Sequence, residues 1–480
     1  MRSMDYPGLT HHGAVRGVTG SCHQLHLGPG VSLLVDCGAE QGADATPGAQ
    51  GSALGFDITG IQALIVTHVH LDHVGRIPAL LAQGYRGPIL CSEPSARLLP
   101  LVLEDAFKLG IDSTPAQVAR YIALVHNLIV PLPFGHWHTV VQHPQVACAI
   151  RLQRAGHLLG SAYVECDIQH GPNSTRYVFS GDLGPGNDPL LRPLQPPEHA
   201  DVLVLESTYG DRLHPPSGDR IQRLEAAIDR ALADHGTLLI PAFSLGRTQA
   251  LLHDLEDVLH RKALLGKIGP SPQGEPVYWS QLPIILDSPL AQRITQAYRD
   301  LHPYWNEQAR ARLADGRDPL AFGQLISVDT HARHQQVVNY LKSTGRPAIV
   351  IAGNGMCSGG RIVNYLKAML GDPRHEVMFV GHQAKGTPGA VIQASERGQG
   401  LGQVDLEGQY YSIWAKVLTL GGYSGHADQA GLVAFATSSE RAPARIVLVH
   451  GRAGAKTALA QALQRRTQAL GWPTQVEIAR

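Results

Sequence analysis

Between residues 67 and 73 the chain reads THVHLDH, which sets His68, His70, Asp72 and His73 directly after the apolar run ALIV at 63–66. Three imidazoles and a carboxylate so close together are costly to bury without partners, and a solvated loop has no use for them. A divalent cation resolves the conflict. At a strand end alternate residues point to one side, so His68 and His70 can share one ion. Once the chain turns, Asp72 and His73 can face a second. Imidazoles and carboxylates without thiolates suit zinc, or a similar divalent ion, in an open catalytic site. Asp72 could also cap the helix suggested by GRIPALLAQG at 75–84, a structural role compatible with the metal-binding one.

Four residues cannot complete two coordination spheres, so further ligands must come from distant strand ends. AGHLLGSA offers His157 in a glycine-bounded turn, FSGDLG offers Asp182, and VLVHG offers His450. The two oxygens of Asp182 could bridge two cations. Taken singly, each is an ordinary residue after a strand. Together they supply the number a dinuclear site requires.

The elements that must position these groups are short apolar runs. SLLVD (32–36), ALIVTH (63–68), RYVFSGD (176–182), DVLVLEST (201–208) and RIVLVHG (445–451) predict buried strands, each ending in a residue able to bind a metal or move a proton. Strand ends that feed one edge of a sheet are where α/β folds assemble sites. A second group of segments lies between them: TLLIPAFSLGRTQALL (237–252), PIILDSP (283–289), PAIVIAGNGMCSGGRI (347–362) and EVMFVGHQAKGT (376–387). The repeated order of strand, Gly/Ser turn and helix predicts a separate α/β unit with its own parallel sheet. The Gly/Pro-rich stretches at 38–55 and 184–200 predict surface loops. Ser358, Gly359 and Gly360 of CSGGR, and Ser424 of YSGH, present hydroxyls and backbone N–H groups suited to a phosphate, with Arg361 and Lys385 able to add charge. Glycines that merely close turns explain those segments equally well.

At 480 residues the chain exceeds one ordinary core and predicts two domains. An apolar fraction of 44% with 17% charged residues describes a compact protein. Lysine plus arginine and aspartate plus glutamate balance at 40 each, so no polybasic surface announces nucleic acid or membrane. An anionic substrate would therefore be held by a local charge such as a metal. The six cysteines form no CxxC pair, which argues against a disulfide framework and a thiolate zinc site. No stretch approaches the roughly 20 apolar residues of a membrane span, and the first residues lack a secretory signal. A soluble cytoplasmic protein with no membrane partner is expected.

In order, VDCG with Asp36, THVHLDH, AGHLLGSA and FSGDLG resemble the four motifs of the metallo-β-lactamase fold. LESTYGDR with Glu206, GYSGHAD with His426 and VLVHG with His450 resemble three further motifs of the β-CASP nucleases, relatives of the cleavage and polyadenylation endonuclease subunit and of bacterial RNase J. IPAFSLGRTQ and GNGMCSGGRI are similar to segments of the domain inserted in that family, and the resemblance runs over residues 9 to 455. It implies an α/β protein, a metallo-β-lactamase αββα sandwich (1–206 and 404–480) interrupted by an inserted α/β β-CASP domain (207–403). It implies two Zn²⁺, with other divalent ions such as Mn²⁺ as alternatives. His68, His70 and His157 would hold one ion, Asp72, His73 and His450 the other, and Asp182 would bridge them. Asp36 would orient a ligand histidine rather than touch metal. Asp72, Glu206 and His426 would be the catalytic set, with Glu206 fixing the tautomer of His426 as general acid.

The implied reaction is two-metal hydrolysis of phosphodiester bonds in single-stranded RNA, serving RNA processing or decay. A histidine at the last motif, here His450, is typical of members that act on RNA, whereas those that act on DNA usually carry valine. Arg452, His382 and Asn354 depart from a usual glutamate, tyrosine and serine. None removes a proposed ligand, and all three bear on how RNA lies in the cleft. Two rivals remain. A small-molecule hydrolase acting on a thioester, lactone or lactam would have no need of so large an insert. A non-catalytic RNA-binding scaffold would not need every ligand intact. The sequence leaves open endonuclease against 5′-exonuclease action, and whether the working form is a homodimer.

Overall fold

The computed structural model describes residues 6–40, 54–110, 114–215, 218–233, 235–270, 276–398 and 402–480. Most of the loop expected at 38–55 therefore lies outside the described residues, whereas 184–200 is irregular throughout. The chain forms two compact units, one of Met1–Gly186, Arg192–Leu213 and Gly425–Arg480, the other of Asn187–Leu191 and His214–Ser424.

In the first unit, one sheet holds β1 (Gly8–His11), β2 (His23–Gly28), β3 (Val31–Val35), β4 (Ile61–Ile65), β5 (Ile89–Ser92) and β6 (Ile129–Leu132) side by side in chain order. The first three are antiparallel neighbours, and β3 to β6 run parallel. A second sheet starts with the antiparallel strands β7 (Trp137–His143), β8 (Val146–Arg154), β9 (Ala162–His170) and β10 (Asn173–Phe179), and continues into β11 (Val202–Leu205), which is parallel to β10. The inner faces of the two sheets share one core, in which Leu33, Val35 and Ile65 of the first cluster with Ile150, Val164, Phe179 and Val204 of the second.

Strand composition reports these surroundings. β8 alternates, with Val146, Cys148, Ile150 and Leu152 buried and their neighbours less so, because its other face is wet. β11 reads VLVL without alternation: Val202 and Val204 face the inter-sheet core, while Leu203 and Leu205 pack in an outer layer with Leu432 and Phe435 of helix Gln429–Thr437 and Leu459 and Leu463 of helix Ala453–Ala469. Helix Glu93–Gly110 packs against β5 and β6 of the other sheet. Helices thus flank a two-sheet sandwich, the αββα arrangement.

The second unit carries a parallel sheet of β12 (Thr237–Pro241), β15 (Ile284–Asp287), β16 (Leu325–Ser327), β17 (Ala348–Ala352), β18 (Glu376–Phe379) and β21 (Lys416–Thr419), in the order β16-β15-β17-β12-β18-β21. The small hairpins are β13 (Lys267–Pro270) with β14 (Pro276–Tyr278), and β19 (Gln403–Leu406) with β20 (Gln409–Ser412). Because β21 pairs in parallel with β18, the compact unit extends to Ser424. β22 (Arg445–Leu448) and β23 (Gln475–Ile478) then complete the first unit's second sheet, β22 beside β11 and parallel to it. Among the described residues no helix is long and apolar enough to cross a membrane.

The first unit also buries a carboxylate that belongs to none of the candidate metal-binding segments. Glu165 on β9 is fully buried and accepts from Arg151 on β8 at 2.5 Å (Nε) and 3.1 Å (Nη2). Truncating one partner of such a pair leaves an uncompensated buried charge. Arg151→Met, which also withdraws the guanidinium lying 4.6 Å over the Trp137 ring, is therefore expected to destabilise this unit by about 3–5 kcal/mol in urea unfolding followed by circular dichroism. Arg151→Met with Glu165→Leu should recover most of the loss. A single substitution costing under about 1 kcal/mol would contradict the assigned role.

Candidate metal centre

β3 and β4 end side by side, as do β10, β11 and β22, so their following residues meet at one edge of the sandwich. Asp36 follows β3, the segment 66–73 follows β4, Asp182 follows β10, Glu206 follows β11 and His450 follows β22; His157 lies in the turn between β8 and β9. Asp36 and His450 adopt left-handed backbone, with φ of 60° and 49°, a conformation non-glycine residues hold only where their surroundings impose it. Gly38 has to be glycine, since a Cβ there would stand 1.6 Å from the carbonyl oxygen of Asp72. That close approach presses the segment after Asp36 onto the turn that carries Asp72 and His73.

Two clusters result, one of His68, His70, His157 and Asp182, the other of Asp72, His73 and His450, each offering ligand atoms within 4.8 Å of one another. In the first, Nδ1 of His70 lies 3.1 Å from Nε2 of both His68 and His157. Asp182 faces both clusters. Its Oδ2 is 3.4 Å from His68 Nε2 and 3.6 Å from His157 Nε2, and its Oδ1 is 3.3 Å from His73 Nε2 and 3.6 Å from His450 Nδ1. Nε2 of His450 lies 3.5 Å from Asp72 Oδ2.

Outer hydrogen bonds set which ring nitrogen is bare. Asp36 accepts from His73 Nδ1 at 2.7 Å, and from the backbone N–H and hydroxyl of Thr67, each at 2.8 Å. With its proton committed to Asp36, the Thr67 hydroxyl accepts from His68 Nδ1 at 3.2 Å. His157 Nδ1 donates to the carbonyl of Gly425 at 2.5 Å, and His450 Nδ1 donates to the Thr208 hydroxyl at 3.1 Å. Nε2 of His68, His73, His157 and His450 is thereby left as a lone pair turned inward. Buried and without hydrogen-bond partners stand His73 Nε2, His450 Nε2 and Asp182 Oδ1. Buried polar atoms so left are rare, and an ion accepting their lone pairs satisfies all three. The donor set fits zinc.

The two clusters differ in charge. Burial pushes His68, His70 and His157 down, His70 to about 4, so they stand neutral and ready to bind an ion. Burial also opposes charge on His73 and His450, but Asp182, with Asp36 beside His73 and Asp72 beside His450, outweighs it and raises both. Burial acts to raise Asp72, yet the imidazoles of His450, 3.5 Å away, and His73 hold it down at about 2.

Beside Asp182 sits a third group. His426 Nδ1 lies 3.2 Å from Glu206 Oε1, and His426 Nε2 lies 3.8 Å from Asp182 Oδ2. Glu206 is buried and fixed by the backbone N–H groups of Leu183 at 2.8 Å and Thr208 at 3.2 Å.

The remaining sequence candidates belong to the second unit. Ser358 and Lys385 are exposed, and Gly360 begins helix Arg361–Met369 with Gly359 just before it. Arg361 is engaged structurally, donating to Asp287 Oδ1 at 2.6 Å and to the carbonyls of Val328 and Asp329 at 2.7 and 2.9 Å. Ser424 is that unit's last residue. Asn354 closes its own turn, accepting from Met356 N–H at 2.7 Å, while His382 is exposed, as is Arg452 in the first unit. Reading the sequence did not single out Thr67, Thr208 or the Gly425 carbonyl as partners of the histidines. Only their position next to the ligand-bearing segments hinted at them.

A two-sheet sandwich with buried imidazoles and carboxylates at one edge is the architecture of a metal-dependent hydrolase. Residues 22–242 match the metallo-beta-lactamase superfamily, 248–392 the Beta-Casp domain, and 410–476 the Zn-dependent metallo-hydrolase RNA specificity domain. The chain is 36% identical over 458 residues to a protein named Ribonuclease TTHA0252 from Thermus thermophilus, covering 95% of this chain and 96% of that one. It is 28% identical to the transcription termination factor FttA of Methanosarcina mazei, over 95% of this chain and 69% of that protein. The chain belongs to the β-CASP family of the metallo-β-lactamase superfamily.

The carboxylates of Asp182, Asp36 and Asp72 favour the protonated forms of His73 and His450, so an ion binding there competes with protons and metal uptake should release them. Calorimetric titration of zinc into metal-free protein is expected to show net proton release at pH 7 in buffers of different ionisation enthalpy. Affinity should fall as the pH is lowered. Binding that is insensitive to pH between about 6 and 8 would contradict this charge assignment.

Proposed function

We propose that this protein is a zinc-dependent ribonuclease that hydrolyses phosphodiester bonds of single-stranded RNA with two ions, in RNA processing or decay in the cytoplasm. The observation that carries the reading is Asp182, each of whose carboxylate oxygens faces a different cluster of imidazoles while His426 stands 3.8 Å away. The RNA specificity domain matched at 410–476 and the ribonuclease among the relatives favour RNA over a thioester, lactone or lactam.

His68, His70 and His157 would hold one Zn²⁺, Asp72, His73 and His450 the other, and Asp182 both; other divalent ions such as Mn²⁺ are alternatives. Bound there, the ions would supply Lewis acidity toward the phosphate and a water acidic enough to react at neutral pH. The chain's own residues do the rest. Asp36 and Thr67 hold the His73 and His68 rings in one tautomer, so the lone pairs are set before substrate arrives. Because Nδ1 of His426 donates to Glu206, Nε2 is the atom that exchanges a proton with the departing oxygen. Glu206, fixed by two backbone N–H groups, keeps that ring from turning.

His426→Ala is expected to keep both metals and to lose about 10²- to 10⁴-fold in cleavage rate. RNAs labelled at either end, bearing a 5′-monophosphate or a 5′-hydroxyl, check this with and without chelator. Chelator should abolish cutting. Discrete internal fragments would indicate endonuclease action and released mononucleotides exonuclease action. Loss of metal from His426→Ala would put His426 among the ligands, and turnover of a thioester or lactone with RNA untouched would overturn the reading.

A further inference from the structure

In the second unit's sheet β12 has β17 on one side and β18 on the other. Leaving β12, the chain builds β15, β16 and β17 on one side, then crosses to β18 on the other. Such a reversal opens a crevice at the carboxyl ends of the strands, where α/β sheets admit ligands. The loop after β12 enters that crevice. Its residues Ala242 and Leu245 are buried, yet Phe243 between them is 40% exposed. An aromatic ring left in water in a loop otherwise turned inward forgoes stabilisation that burial would give.

The ring is nonetheless held in place. Gly355, in the loop after β17, lies against it so closely that a Cβ there would stand 3.0 Å from Cδ2 and Cε2 of Phe243. The buried Thr248 hydroxyl donates to the carbonyl of Phe243 at 2.6 Å. The Arg247 guanidinium lies 5.6 Å from the ring centre and is backed by Gly381 of the loop after β18, where a Cβ would meet Nη1 at 2.1 Å. Gln383 of that loop donates to the carbonyl of Gly355 at 2.9 Å, and Lys385, two residues on, is exposed. A braced aromatic surface with the Arg247 guanidinium beside it matches an unpaired nucleotide, with its base on the ring and its phosphate near that cation.

We propose that Phe243 is a stacking platform for one unpaired base of the RNA substrate, an inference that rests on the ribonuclease reading above. Base–aromatic stacking is sequence-tolerant because every base has a π-face, so the platform selects unpaired strands rather than particular bases. The test uses the metal-loaded full-length chain and a 2′-O-methylated oligonucleotide that resists cleavage, with affinity read by fluorescence anisotropy. Phe243→Ala and Phe243→Leu are expected to weaken binding about 5- to 150-fold, and Phe243→Trp to retain it and show indole quenching on binding. Placing an abasic nucleotide at each position in turn should reveal one position whose loss matches Phe243→Ala, with no further loss when the two are combined. Binding by Phe243→Leu within about twofold of the unsubstituted chain, or abasic losses that add to those of Phe243→Ala, would overturn the platform while leaving the ribonuclease reading intact. Failure of the unsubstituted chain to bind the oligonucleotide would overturn that reading and the platform with it.

Discussion

The edge of the first sandwich concentrates more buried lone pairs than the polypeptide itself can satisfy. His73 Nε2, His450 Nε2 and Asp182 Oδ1 face inward without hydrogen bonds, and Nε2 of His68 and His157 converge on His70. A cation that accepts such lone pairs removes the cost of burying them unpaired. The rest of the unit can be understood as the means of holding them there. Parallel strands finish at one edge, two residues take left-handed backbone, and a glycine lets one loop press directly on another.

Pre-orientation falls to residues outside the two clusters. Asp36 fixes His73 directly and His68 through the Thr67 hydroxyl, so one carboxylate sets a ring in each cluster. Thr208 and the Gly425 carbonyl do the same for His450 and His157. Gly425 and His426 are adjacent in sequence, so the backbone that orients one ring also carries the imidazole beside Asp182. Asymmetry follows from the carboxylates: those beside His73 and His450 favour the protonated rings, while burial disfavours charge on His68 and His157.

Much of this was readable in the chain, for physical reasons. Strands buried on both faces show as unbroken apolar runs, as in VLVL at 202–205, and polar residues just beyond such runs stand out. THVHLDH gathers four side chains able to bind a metal in one short segment, so local spacing alone announces them. The hydroxyl and carbonyl partners have no such signal, because a threonine is common anywhere and Thr208 lies 242 residues from His450. Nor does composition reveal that residues 187–191 join the second unit, since that depends on packing rather than pattern. Arg361 shows the limit in another way. In sequence it is a cation beside a glycine turn, and in the fold its guanidinium is taken up by Asp287 and two carbonyls.

Metal content per chain is the most direct check on this picture. Protein stripped of metal, resupplied with zinc and freed of excess should hold two equivalents by elemental analysis, and Asp182→Ala should hold fewer. One ion or none in the unsubstituted chain, or an unaltered count when Asp182 is removed, would contradict a pair of cations held on either side of that carboxylate.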